Sequence, residues 1–346
     1  MIQADPKKTI APLIGVAIAA LLLWAWDTDK KPRETSYFTN QGAVFGTYYN
    51  IRYSAVEDQE PAIKEALQAF DNSLSMFNPH SILSAVNANR DTTTDAAFEA
   101  MWAEATRVYD LSNGAFDITV GPLVNYWGFG FAERVRDHET TRSRDLDSIS
   151  AFVGFEKVAL VDHKVVKQDS RVQLDAGAVA KGQACDMIAA VLARQGCENY
   201  LVDIGGEVVA HGLNDKGEPW HVGITKPNLN NEGAQEELQE ILAVSDVKMA
   251  TSGNYRNYYY ADGERRSHTI DPRTGYPVQH SVLSATVVAS TCMRADAMAT
   301  ACMVLGAEDA MDMIRRAEDA ACYLIVAQND SLVVIKSPNW EEKLTK

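Results

Sequence analysis

The chain predicts an α+β fold, and three observations carry that prediction. Strand-like runs succeed one another through short turns rich in Gly, Asn or Asp, so hairpins outnumber strand–helix–strand units. The central third alternates strand-like runs with one helix, yet the strands there are joined mostly to one another rather than through helices. The 346 residues are 46% hydrophobic, enough to bury one large core or two ordinary ones.

Residues 10–26 form a run of 17 without a charge, preceded by Lys7 and Lys8 and followed by Asp27 and Asp29. At about 1.5 Å per residue such a helix just spans a hydrocarbon core, with Trp24 and Trp26 at the far interface and the basic flank inside. The reading is a signal anchor in the inner membrane at 10–26, a cytoplasmic tail at 1–9, a polar linker at 27–39 and a periplasmic domain at 40–346. A cleaved signal peptide competes with it, but the apolar run is long and Trp-Ala-Trp is a poor cleavage site. No Cys follows the run, which excludes a lipoprotein anchor.

Within the domain, residues 44–53 read as a strand. Helical runs follow at 61–76, stopped by Phe77-Asn78-Pro79, and at 96–112, stopped by Asn113-Gly114. Residues 131–147 are charged and read as a surface excursion. Residues 158–161 and 172–174 are strand-like, 181–194 is a helix ending near Gly196, and 200–204 is a strand into a Gly205-Gly206 turn. Strands at 208–211 and 221–225 and a polar loop at 228–239 lead to a hairpin of 255–260 with 265–270. The apolar, Pro-free run at 297–305 is helical.

A formal net charge of −15 and a pI near 4.9, with no cluster of Lys and Arg, exclude nucleic acid as a partner. Cysteines 185, 197, 292, 302 and 322 are dispersed and show neither CxxC nor Cys/His spacing, so zinc is not expected. Buried free thiols are expected, and one disulfide stays open for an exported domain.

The chemistry concentrates between residues 267 and 300. Asp296 and Thr300 lie four apart, so on a helix their oxygens project from one face, one turn apart. Two hard oxygens suit Mg²⁺, which takes few protein ligands beside phosphates and waters. The structural alternative is that Asp296 caps the helix and Thr300 bonds back to a carbonyl. His268 falls near the end of the hairpin's second strand, before a turn from Asp271-Pro272 to Gly275. It can exchange protons near neutral pH there, or be an ordinary surface histidine.

Two Gly-rich stretches complete the inventory. Asp175-Ala-Gly-Ala-Val-Ala-Lys-Gly182 runs into a helix start where backbone N–H groups and Lys181 favour a phosphate. Its spacing is neither GxGxxG nor GxxxxGK[ST], so Rossmann and Walker readings are not available. Gly205-Gly206 reads as a turn.

Taken together, five stretches stand in order: 175–182, Asp203-Ile-Gly-Gly-Glu207, Ala250-Thr-Ser-Gly-Asn-Tyr255, Ser267-His-Thr-Ile-Asp-Pro-Arg-Thr-Gly275 and Ala295-Asp-Ala-Met-Ala-Thr300. The chain thereby resembles the ApbE family, the FAD:protein FMN transferases. The likeness extends to Phe45-Gly-Thr-Tyr, Leu74-Ser-Met-Phe77 and Ala115-Phe-Asp-Ile-Thr119. It implies one α+β domain, T-fold-like, that binds FAD with Mg²⁺ and moves FMN onto a Thr or Ser hydroxyl of an acceptor flavoprotein, releasing AMP. By motif position it implies Asp296, Thr300 and the carbonyl of Ala178 as metal ligands. It places Phe45, Phe77, Ala115, Phe116, Asp117, Asp175, Lys181 and Ile270 around the flavin nucleotide, and His268 as base. The acceptors it implies are Nqr- and Rnf-type redox subunits. Many bacterial members are lipoproteins, and the anchor read at 10–26 departs from that. An FAD pyrophosphatase and a flavin-binding protein without turnover are the alternatives.

Overall fold

The computed structural model describes residues 34–130, 143–228, 237–254, 258–261, 264–329 and 331–345. The run at 10–26 lies outside them, and among the described residues no helix is long and apolar enough to cross a membrane.

An eight-stranded sheet carries the domain, in the order β1(Ser36–Val44), β2(Thr47–Ala55), β5(Tyr200–Ile204), β6(Glu207–His211), β9(Val247–Gly253), β12(Val282–Val288), β13(Ala321–Gln328) and β14(Ser331–Lys336). Each neighbouring pair is antiparallel; β1–β2, β5–β6 and β13–β14 are hairpins, and the other pairs meet across longer connections. Alternate residues of one strand therefore serve two cores. Cys322, Leu324 and Val326 of β13 join the larger core, under α1(Glu60–Leu74), α3(Ala96–Leu111), α6(Ala180–Arg194), α7(Cys292–Leu305) and α8(Ala307–Ala317). Tyr323 and Ile325 face the smaller one, closed by β7(Trp220–Thr225), β8(Leu238–Val244) and α9(Trp340–Leu344). A third cluster joins Leu123 and Trp127 to Leu146 and Ile270, where α4(Gly121–Tyr126) and α5(Ser143–Ser150) meet. The short α2(Ile82–Asn87), β3(Val158–Val161) with β4(Lys164–Lys167), and β10(Tyr258–Ala261) with β11(Glu264–Ser267) complete the chain. All five cysteines are buried free thiols.

Several sequence expectations change. The strand read at 44–53 is two strands, because Phe45 and Gly46 take φ of 50° and 74° and close a two-residue turn between Val44 and Thr47. Strand β1 starts at Ser36, inside the stretch read as linker, and pairs with β2 along its length. Residues 172–174 join no sheet: the Asn87 amide donates to Leu174 O at 2.8 Å and accepts from Leu174 N at 2.7 Å, taking a neighbouring strand's place. The end of the polar loop read at 228–239 belongs to β8, since Leu238 pairs with Thr225. The end of the excursion read at 131–147 belongs to α5, which buries Leu146.

Candidate active site

The first turns of α6 and α7 touch at Gly182. A Cβ there would lie 2.3 Å from the Cys292 carbonyl oxygen and 2.9 Å from Asp296 Cβ, so glycine alone lets the helices come this close. The contact orients Asp296, whose Oδ2 accepts the Gly182 N–H at 3.0 Å while Oδ1 faces Lys181 Nζ at 3.9 Å. Burial raises the Asp296 carboxyl, against the lowering pull of Lys181 and the Gly182 N–H. Asp296 does not cap α7. Thr291 does, accepting from Arg294 N, and Asp186 accepts the N–H groups of Cys292 and Met293. Thr300, one turn further on, does not need a carbonyl of its own helix: its Oγ1 lies 3.1 Å from Ser252 Oγ on β9.

Lys181 opens the other side of this contact. Its Nζ sits 2.5 Å from Glu207 Oε1, at the start of β6, while its stem runs past Gly205, whose added Cβ would meet Lys181 Cδ at 3.3 Å. Glu207 is 1% exposed, and among the described residues its Oε2 has no hydrogen-bond partner. Burial would lower the Lys181 ammonium, but Asp296 and Glu207 together hold it above its usual range. Burial also raises the Glu207 carboxyl despite the adjoining ammonium. The Gly205-Gly206 turn, with φ of 65° and 100°, lets β5 turn back so that Glu207 faces Lys181.

Lys181, Ser252, Asp296 and Thr300 line a cavity of about 400 Å³ that also takes in Ala115, Phe116, Asp117, Asp175, Ala178, His268 and Ile270. A second cavity, of about 280 Å³, contains Phe45 and Phe77 and shares Met76, Gly177 and Lys181 with the first. The twelve residues singled out from the sequence thus all fall on one or other of these two adjoining cavities. Phe77 is 57% exposed and lies over Gly46, where a Cβ would meet its ring at 2.7 Å. Phe45 packs its ring 5.3 Å from that of Phe70.

His268 directly follows β11 and is half-buried, its ring edge-on to Phe129 with centroids 6.2 Å apart. The turn behind it closes as the sequence implies, with Gly275 N donating to Asp271 O at 2.8 Å and φ of 80° at Gly275. The Asp271 carboxylate is engaged by the Arg273 guanidinium through bonds of 2.9 and 2.8 Å.

Two carboxylates differ from a simple ligand-lining role. Asp117 is turned into its own loop, accepting from Thr119 N and Oγ1 at 2.7 Å each and from Phe155 N at 3.0 Å. It shapes the cavity wall through the backbone. Asp175 Oδ1 accepts the Gly177 N–H at 2.8 Å and so fixes the curl of the 175–182 loop, while burial raises its carboxyl.

Among the described residues no group of three or more His, Cys, Asp or Glu is arranged to hold a metal. The oxygens at hand are of another kind: one buried carboxylate, one hydroxyl and the Ala178 main chain, all on one cavity. This all-oxygen set fits a hard cation that completes its shell with phosphate and water, and does not fit a soft one. Sequence reasoning missed Glu207 and Ser252 as neighbours of the site. The signal for Glu207 was there: a lone acid opening an otherwise apolar strand directly after Gly-Gly.

The family model described as "ApbE family" matches residues 45–324. A Vibrio cholerae protein named FAD:protein FMN transferase is 37% identical over 294 residues, covering 81% of this chain and 84% of that one. A namesake from Escherichia coli K12 is 34% identical and covers 95% and 97%. Among solved structures, the flavin transferase ApbE from Vibrio cholerae superposes with a TM-score of 0.78 at 33% identity, over 89% of this chain and 99% of that one. The apo flavinyl transferase ApbE from Pseudomonas stutzeri gives 0.78 at 28% identity, over 90% and 98%. These matches in sequence and fold define an enzyme of the flavin transferase class. The chain belongs to the ApbE family.

Proposed function

We propose that the chain catalyses Mg²⁺-dependent transfer of the FMN moiety of FAD to a Thr or Ser hydroxyl of an acceptor flavoprotein, with release of AMP. The observation that carries this reading is the one cavity lined by Lys181, Asp296, Thr300 and His268, which shares Lys181 with the neighbouring cavity that holds Phe45 and Phe77. Phosphoryl transfer needs little covalent chemistry from a protein and much positioning and charge neutralisation.

In this reading Asp296, Thr300 and the Ala178 carbonyl hold the cation, which when bound neutralises pyrophosphate charge. Lys181 and the backbone of the 175–182 loop receive phosphate oxygens at the start of α6. Phe45 and Phe77 offer ring faces to the flavin. The acceptor hydroxyl oxygen attacks the FMN phosphorus, the bond to the AMP oxygen breaks, and His268 takes the hydroxyl proton. No protein nucleophile is required. Nqr- and Rnf-type subunits are the acceptors in view, and the 10–26 run is taken to hold the enzyme at the inner membrane with its domain in the periplasm.

The test is to incubate the protein with FAD, Mg²⁺ and a candidate acceptor, weigh the acceptor and assay AMP. One FMN less one water should be gained per AMP released. AMP release with no mass gain, at the same rate without acceptor, would make the enzyme a pyrophosphatase.

A further inference from the structure

Resting on the reading of Asp296 and Thr300 as cation ligands, we propose that Glu207 is a positioning residue that keeps the Lys181 ammonium off Asp296 and so leaves Asp296 Oδ1 open to a divalent cation. Lys181 Nζ has two carboxylates within reach, and the distances are unequal: 2.5 Å to Glu207 Oε1 and 3.9 Å to Asp296 Oδ1. Oδ2 of Asp296 is already engaged by the Gly182 N–H, so Oδ1 is the oxygen left to coordinate. An ammonium bonded to that oxygen would compete directly with the cation, and in a buried site it would compete strongly.

Glu207 is built for this task and for little else in view. It is 1% exposed, and its second carboxylate oxygen has no hydrogen-bond partner among the described residues. A group buried at that cost with one cationic neighbour is held for that neighbour. Its backbone is fixed in β6 by pairing with Ile204, and the Lys181 stem runs against Gly205 on the way to it. With Glu207 neutralised in shape-preserving fashion, Asp296 is, among the described residues, the carboxylate left within 4 Å of Lys181, and a short swing of the ammonium closes the gap. Glu207 thus acts on the metal through Lys181 without touching it.

Mn²⁺ alone, added to the full-length protein without FAD and followed by the loss of free Mn²⁺ signal in electron paramagnetic resonance, tests this apart from catalysis. Glu207→Gln should weaken Mn²⁺ binding by roughly 5- to 150-fold, the usual range of coupling between sites. Lys181→Met should bind at least as tightly as the parent, and the double variant Lys181→Met/Glu207→Gln should return to within about twofold of Lys181→Met, since no ammonium remains to restrain. Unchanged binding in Glu207→Gln overturns the proposal, as does weaker binding in Lys181→Met or a double variant no better than Glu207→Gln. Lys181→Met keeps the test decisive should Glu207→Gln fail to fold. A parent that takes up no Mn²⁺, or an Asp296→Asn that takes it up equally well, overturns the cation reading itself and this proposal with it.

Discussion

Two side chains bear the sharpest expectations. Asp296→Asn keeps shape and the bond from Gly182 N but removes the charge that would hold a cation against its hydration shell. Transfer should fall by more than the roughly 10- to 100-fold typical of a metal's outer-shell partners, with the Mg²⁺ requirement moving upward in the same titration. Thr300→Val should be milder, because a neutral hydroxyl is given up and Ser252 remains beside it. For His268→Ala the distinguishing result is a split. FAD affinity should stay within a few-fold, because Lys181, Asp296 and the 175–182 loop are untouched, while single-turnover transfer slows by about 10²- to 10⁴-fold. A histidine that merely fills space beside Phe129 would leave the rate near that of the parent.

At the scale of elements, the meeting of α6 and α7 and the anchoring of the α7 C-terminus are the points to probe. Gly182→Ala brings helix propensity of about 1 kcal/mol in its favour. The added Cβ would nonetheless lie 2.3 Å from the Cys292 carbonyl, where backbone and not a pliable side chain must yield. Overpacking of about 1–3 kcal/mol or more should win, so the urea midpoint should fall and transfer with it. His280 joins the α7 C-terminus to β12, with Nε2 donating to Met303 O at 2.8 Å and Nδ1 accepting from Val282 N at 3.2 Å. That pattern demands the neutral ring, and burial lowers its pKa from the ordinary 6.5. Folding therefore releases a proton in this window: stability is full above about pH 6.5 and is lost as pH falls towards the folded-state value. Urea midpoints at pH 7.5 and 5.5 should differ more in the parent than in His280→Asn.

On the scale of the molecule, the long helices and about half of the strands were legible because their periodicity and stops are local, whereas β9, β12, β13 and β14 went unassigned; β12 and β13 are buried on both faces and so show no alternation. The turn at Phe45 was not, since a phenylalanine at positive φ looks like strand in any window and is forced only by its partner strand. Residues 172–174 misled for a related reason: an extended apolar segment and a strand differ only in what lies alongside, here the Asn87 side chain. The residues that line the two cavities could be named from motif order, whereas the Glu207–Lys181 pair needed a fold that brings β6 beside α6. The anchor read at 10–26 carries its own expectation. Fractionation should recover the full-length chain with the membrane and release it with detergent but not with salt; a soluble mature form starting after Trp26 would rule the anchor out. The five buried thiols, finally, make this protein a natural reporter of its own opening. Cys185 of α6 donates to the Glu207 carbonyl and Cys292 of α7 to that of Met249, while Cys322 lies against Met311 of α8. A thiol-reactive dye meets no exposed sulfur in the folded chain. The order in which sulfurs become labelled in dilute denaturant would thus chart which layer loosens first, and any protection conferred by a nucleotide would be read at Cys185 and Cys292 before Cys322.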